Sequence, residues 1–233
     1  MKAIKKTNGH TNEVSDYFKA GISIDCVVFG YDPPHLKILC IESDFEGFQG
    51  MKSLVGDLVY PYENLYDAAY RILNERTGLE DIHLQQVGAF GDPDRHPFGR
   101  VISIAYYALI DLAKSNLDTA LPLKPSWINV DAIPNLAFDH NSILKNSINK
   151  LRRDFLRKQE WSNLMPEKFT LSELQTLIEA VLGYKMDKRN FRKKMLQSGN
   201  LKDLNRVQDN VAHRPAKLFK YKPNKKESLR VNV

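Results

Sequence analysis

Between Ile22 and Asp111 short apolar runs alternate with one stretch of helical periodicity. Ile22 to Gly30 (ISIDCVVFG) and Leu36 to Glu42 (LKILCIE) read as strands. The turn between them, Tyr31-Asp32-Pro33-Pro34, carries prolines that cannot continue a ladder, so the two strands form a hairpin. Over Glu63 to Thr77, Leu65, Ala68, Ala69, Ile72 and Leu73 recur at the spacing of one helix face, and Gly78 follows where a left-handed residue ends a helix. His83 to Phe90 and Val101 to Ile110 supply two more strands around the turn-rich GDPDRHPFGR. The first unit is therefore mixed α/β.

A second helical stretch, Asp139 to Arg157, places Ile143, Ile148, Leu151 and Phe155 on one side and carries the chain out of that unit. Thr170 and Glu173 form a capping box ahead of Leu174, Leu177, Ile178, Val181 and Leu182, and Gly183 closes that helix. Asp187 can cap a further helix to about Gln197, with Phe191, Met195 and Leu196 turned inward and Lys188, Arg189, Arg192 and Lys193 on other faces. Leu201 to Leu204 and Ala216 to Tyr221 read as short strands flanking a polar loop. Helix, glycine turn, basic helix and β-wing is the order of a winged helix-turn-helix. The expected division is 1–150, with a core at about 18–138, and 151–233, with a disordered tail from about residue 223.

The net charge of +6 is unevenly placed. Residues 1–150 hold 14 Lys and Arg against 19 Asp and Glu, whereas residues 151–233 hold 20 against 9. A basic unit behind an acidic one is the footprint of a nucleic-acid binder, because neutralised phosphates release condensed counterions. The basic unit lacks the clustered aromatics that RNA binding favours, which points to double-stranded DNA. Cys26 and Cys40 each lie inside an apolar run and read as buried thiols rather than a disulfide or metal pair. No window suits a signal peptide or a membrane span, and the expected location is the cytoplasm.

Gly56-Asp57-Leu58-Val59, followed by Glu63, Arg71, Leu73, Glu75, Gly78 and Leu79, resembles the Nudix box. Three functional positions depart from that pattern: Asp57 stands for a glycine, Ile72 for the first helix glutamate and Arg76 for the last. Hydrolysis of a nucleoside diphosphate linkage needs Mg²⁺ or Mn²⁺ held by several carboxylates on one helix turn, and of that set Glu75 remains. No enzyme activity and no metal or other cofactor is expected, and Arg71 with Glu75 reads equally well as an i, i+4 ion pair.

Further motifs extend the resemblance over residues 18 to 221. Asp94 to Ser103, Leu136 to His140, Phe169-Thr170-Leu171, Asp187 to Lys194 and Arg214-Pro215-Ala216 are similar to the Nudix-related transcriptional regulators, the NrtR-like family, and resemble its Bacteroidetes-type arabinose regulator (AraR) branch. The resemblance implies an α+β chain in which a Nudix-like α/β/α sandwich senses a small molecule for a C-terminal winged helix. It implies a homodimeric repressor that L-arabinose releases from its operator. An ADP-ribose sensor of NAD metabolism is the alternative within the family, and a residual Nudix hydrolase the alternative outside it. A polyol site needs side-chain donors and acceptors with an apolar face. The nominees for it are Asp25, Glu42, Lys52, Asp57, Arg95 and Arg100, with Phe18 or Phe45 as a wall. Asp25 is either a cavity group or the outward member of an alternating strand, and the arginines are either cavity groups or surface charges.

For DNA, Arg189 and Arg192 are the expected base readers, since arginine pairs bidentately with guanine. Lys185, Lys188 and Lys193 hold phosphates, and Asn190 either reads adenine or braces the core. Arg206, Arg214 and Lys217 place wing charges on the backbone, with Arg214 open to a structural role beside Pro215.

Overall fold

The computed structural model describes residues 19–209 and 214–223. Phe18 and the tail beyond residue 223 lie outside the described residues. The predicted hairpin forms: β1 (Gly21–Asp32) and β2 (His35–Glu42) pair antiparallel, with Asp32 opposite His35. β1 is the middle strand of the sheet. β6 (Val101–Asp111) lies parallel along it, β4 (Val55–Leu58) pairs antiparallel with its first half, and β5 (Gln85–Phe90) extends the sheet beyond β6. β3 (Lys52–Ser53) and β7 (Ser126–Asn129) pair with β2. These two short strands and β4 carry too few residues to show a period, and β4 includes a glycine and an aspartate, so apolar patterning does not reveal them.

Successive side chains of β1 point to opposite faces, and each face buries its own apolar layer. Ile24, Cys26 and Val28 pack with Ala68, Ala69, Ile72 and Leu73 of α1 (Leu65–Thr77). Val27, Phe29 and Tyr31 pack with Ile143, Leu151 and Phe155 of α2 (His140–Arg157). One helix on each side of the sheet gives the α/β/α layering. Asn64 caps α1 by accepting from the Tyr66 and Asp67 amides, and Gly78 ends it at φ 73°. Cys26 and Cys40 are both free and buried.

The second unit is a three-stranded sheet, β8 (Phe169–Thr170), β10 (Lys217–Tyr221) and β9 (Leu201–Val207) in that order, beside α3 (Leu171–Leu182) and α4 (Lys188–Gln197). Thr170 and Glu173 make the reciprocal capping box, Gly183 takes φ 77°, and Asp187 caps α4 through the Asn190 amide. Leu196 corrects the expected inward face of α4, because it is 54% exposed while Phe191 is buried. Met195 stacks one turn beyond Phe191, and the next residue lies about 100° further round the helix.

The two units share one apolar cluster. Tyr31 and Leu36, at the hairpin end, belong to it together with Leu174, Leu177, Phe155, Trp161 and Phe219, and α3 packs against β2. α2 runs unbroken through Lys150, so the expected division after that residue lies inside a helix. Among the described residues no helix is long and apolar enough to cross a membrane.

Candidate ligand cavity and nucleic-acid interface

A cavity of about 450 Å³ opens where the first halves of β1, β4 and β6 meet the loops before β3 and β6. Its floor follows from the alternation of β1. Asp25 is on the same face as Val27 and Phe29, toward α2, and is 4% exposed, which excludes the outward reading. Gly56 lies opposite it on β4, and a Cβ there would collide with the Asp25 carboxylate and the Ile24 carbonyl. Only glycine lets the two strands close over the acid.

Asp25 is held from three sides. Ser103 on β6 donates to Oδ2, Arg95 Nη2 approaches the same oxygen at 3.4 Å, and His140 Nε2 lies 3.2 Å from Oδ1. The Leu54 amide donates to His140 Nδ1 at 3.1 Å, so that nitrogen accepts and Nε2 carries the proton toward Asp25. Arg95 also forks onto Asp139, through Nε at 3.0 Å and Nη2 at 2.8 Å. Burial alone pushes the Asp25 carboxyl up, but the His140 ring, the Ser103 hydroxyl and the Arg95 guanidinium outweigh it and hold the acid below its ordinary value.

One wall is aromatic. Phe45 contacts His96, Phe98 and Phe138 with ring centroids 5.2, 5.3 and 5.2 Å away, and His96 stacks on Phe138 at 5.6 Å. Phe138 adopts φ 55°, a left-handed setting uncommon for a side chain of this size. Burial, then the neighbouring Arg95 charge, lowers the His96 pKa and favours its neutral ring. Phe98, 64% exposed, stands at the mouth.

The rim is charged. Asp57 and Arg76 form an ion pair, with the Asp57 carboxylate also accepting from the Leu58 amide at 2.7 Å. Arg100 donates to the Gly91 and Asp92 carbonyls. Glu42 pairs with Lys124 at 2.9 Å and Lys52 at 3.5 Å, and the Lys124 hydrogen bond leads the interactions that lower its pKa. Asp25, Glu42, Phe45, Asp57, Arg95 and Arg100 all line the cavity, whereas Lys52 turns to Glu42 and Ser126 beside it. His140, Ser103, Asp139 and Phe138 join the site without having been singled out as ligand groups in the sequence, and His96 lines the cavity beside them.

The surviving box residues serve the backbone. Arg71 binds Glu63 at 2.6 and 2.9 Å, Glu75 at 3.0 Å and the Leu58 carbonyl at 3.0 Å, and lies over the Tyr60 ring. Ile72 is fully buried in the layer between α1 and the sheet. Among the described residues no group of three His, Cys, Asp or Glu side chains is placed to hold a metal ion.

On the second unit, Lys188, Arg189, Asn190, Arg192 and Lys193 are all exposed along α4. Asn190 therefore does not brace the core. Arg206 and Arg214 are exposed on the wing. Lys185 pairs with Glu179 at 2.9 Å and Lys217 with Asp203 at 3.0 Å, so each expected phosphate contact is engaged by a carboxylate in this structure.

A model of the NrtR DNA-binding winged helix domain matches residues 162–221. The chain is 30% identical over 212 residues to the ADPR responsive transcriptional repressor NtrR of Acinetobacter baylyi, spanning 89% of this chain and 84% of that protein. Its fold is similar to that of Shewanella oneidensis NrtR complexed with a 27mer DNA, with a TM-score of 0.67, 25% identity and coverage of 86% of this chain and 93% of that one. The first unit is similar to the NUDIX domain of Shewanella oneidensis NrtR complexed with ADP ribose, with a TM-score of 0.53, 25% identity and coverage of 60% and 94%.

Proposed function

This chain belongs to the NrtR family of Nudix-related, DNA-binding transcriptional repressors, and on that premise we propose that it holds operator DNA as a homodimer and releases it when ADP-ribose fills the cavity. Support comes from one pairing of features: a cavity of about 450 Å³ and an exposed cationic helix within a chain that matches an ADPR responsive repressor over most of its length. That volume lies in the range of roughly 300–1,000 Å³ typical of drug-sized ligand sites, and a pentose would leave much of it open. The aromatic wall suits a base or ribose face, and Arg76 and Arg100 suit phosphate. ADP-ribose therefore takes precedence over the L-arabinose expected from the arabinose branch.

The coupling has a stated thermodynamic condition: ADP-ribose must bind the DNA-free geometry more tightly than the DNA-bound one. A repressor of this kind works in the compartment that holds the chromosome, in keeping with the cytoplasmic expectation. In a mobility shift on the chain's own upstream DNA, ADP-ribose is expected to release the complex while L-arabinose leaves it intact. Release by L-arabinose alone would reinstate the sugar reading.

The hydrolase alternative loses ground because the carboxylates needed for a cation are replaced or engaged by arginine. ADP-ribose incubated with the chain and Mg²⁺ or Mn²⁺ is expected to remain whole, and cleavage of its pyrophosphate above background would restore that alternative.

For the nucleic-acid face, we expect Arg189→Ala to weaken operator binding by about 10- to 100-fold, the worth of roughly 1–3 kcal/mol for a bidentate base contact. Binding to random DNA should fall far less. Equal losses on both would make Arg189 a phosphate contact.

A further inference from the structure

Arg76 and Asp57 are two departures from the Nudix box that cancel each other in charge and meet in space at the cavity rim. Arg76 occupies the last turn of α1, where the box has a metal-binding glutamate, and Asp57, next to Gly56, stands where the box has its first glycine. Each side chain is 32% exposed, so neither is locked in the core. Asp57 is fixed by the Leu58 amide as well as by Arg76, whereas Arg76 lies on a flexible stem. A guanidinium has five N–H donors, and the bond to Asp57 is made through Nη2 alone, which leaves donors for a second anion.

We propose that Arg76 supplies the positive charge that a divalent cation supplies at metal-dependent sites of this fold, so that the cavity takes the diphosphate of its effector without any metal, with Asp57 as the counterion that the phosphate competes against. This rests on the ADP-ribose reading and deepens it. Arginine suits the exchange because its planar fork matches phosphate oxygens in pairs and its charge is permanent. The adjacent Asp57 carboxylate opposes the incoming anion, which makes the pair a threshold as well as a site.

The test is calorimetric titration of ADP-ribose into the full chain, once with EDTA and once with Mg²⁺, with melting temperatures recorded alongside. Equal affinity under both conditions is expected. Arg76→Gln should weaken binding about 10- to 100-fold, as loss of charge-assisted hydrogen bonds does, and Asp57→Asn should tighten it about threefold or more by removing a like charge near the phosphate. A merely structural ion pair would move the melting temperature of both variants in the same direction and leave affinity alone, which would overturn the proposal. A requirement for Mg²⁺ in the unaltered chain would also overturn it, while keeping ADP-ribose as effector. Failure of the folded chain to bind ADP-ribose under either condition would remove the effector reading itself, and this proposal with it.

Discussion

Asp25→Ala is expected to lower the unfolding free energy by about 3–5 kcal/mol, the range for breaking a buried charged network by removing one partner. The substitution strips the shared acceptor from the Ser103 hydroxyl, the His140 Nε2–H and the Arg95 guanidinium, all of them buried. Arg95 keeps Asp139, so the loss falls short of a wholly orphaned cation. For a chain of this size the melting temperature should drop by roughly 10 °C. The effect also has a pH signature. The folded pKa of Asp25 lies below its ordinary value near 3.8, so its contribution is present above that value and is lost as the pH falls through the lowered one. The gap between the unaltered chain and the variant should therefore narrow in acid, at pH values below about 4. Thermal melts at several pH values decide the matter: a shift under about 1 °C at neutral pH would mean that the network contributes no net stability.

Trp161→Ala should cost a similar amount, about 3–5 kcal/mol, by truncating a fully packed aromatic side chain. Trp161 stands in the turn after α2 and meets Phe169 of β8 and Tyr221 of β10 edge-on, at 6.1 and 5.1 Å. It thus ties the exit of α2 to two of the three strands of the wing sheet. Its loss is expected to loosen the second unit before the first, so limited proteolysis should cut beyond residue 157 while the cavity still binds its ligand. Operator binding should fall with it. A single cooperative melt, lowered but undivided, would show instead that the shared apolar layer keeps the two units one folding entity despite the gap.

Elements with a full period were legible in the sequence. The hairpin, α1, the capped α3 and the basic α4 each span enough residues for spacing, caps and terminators to agree, and each was found within a few residues of its expected limits. β3 and β8, at two residues each, exist only through their partners across the sheet, and no local pattern announces such pairings. The site divides in the same way. Asp25 stood out because an acid inside an apolar strand needs a partner, and it has three. His140 and Asp139 close that network from the start of α2, far along the chain, where they look like helix-start residues. Ser103 is an unremarkable polar member of a strand until the parallel register sets β6 beside β1. The Asp57–Arg76 pair was closer to legible. A glycine changed to an acid and an acid changed to a base within one motif are complementary departures, and their contact forms only once the fold sets β4 beside the last turn of α1.

α2 starts at the cavity with His140 and ends against the winged unit with Phe155, and both of those side chains are buried. A continuous helix between two fixed ends behaves as an angular gauge. One residue inserted along it would turn everything downstream by about 100° and advance it by about 1.5 Å, carrying Phe155 out of its apolar layer and swinging α4 away from its direction relative to the cavity. Changes of length in this stretch can preserve the alignment only in steps close to whole turns, so the phase of α2 sets the bearing from which the second unit addresses DNA.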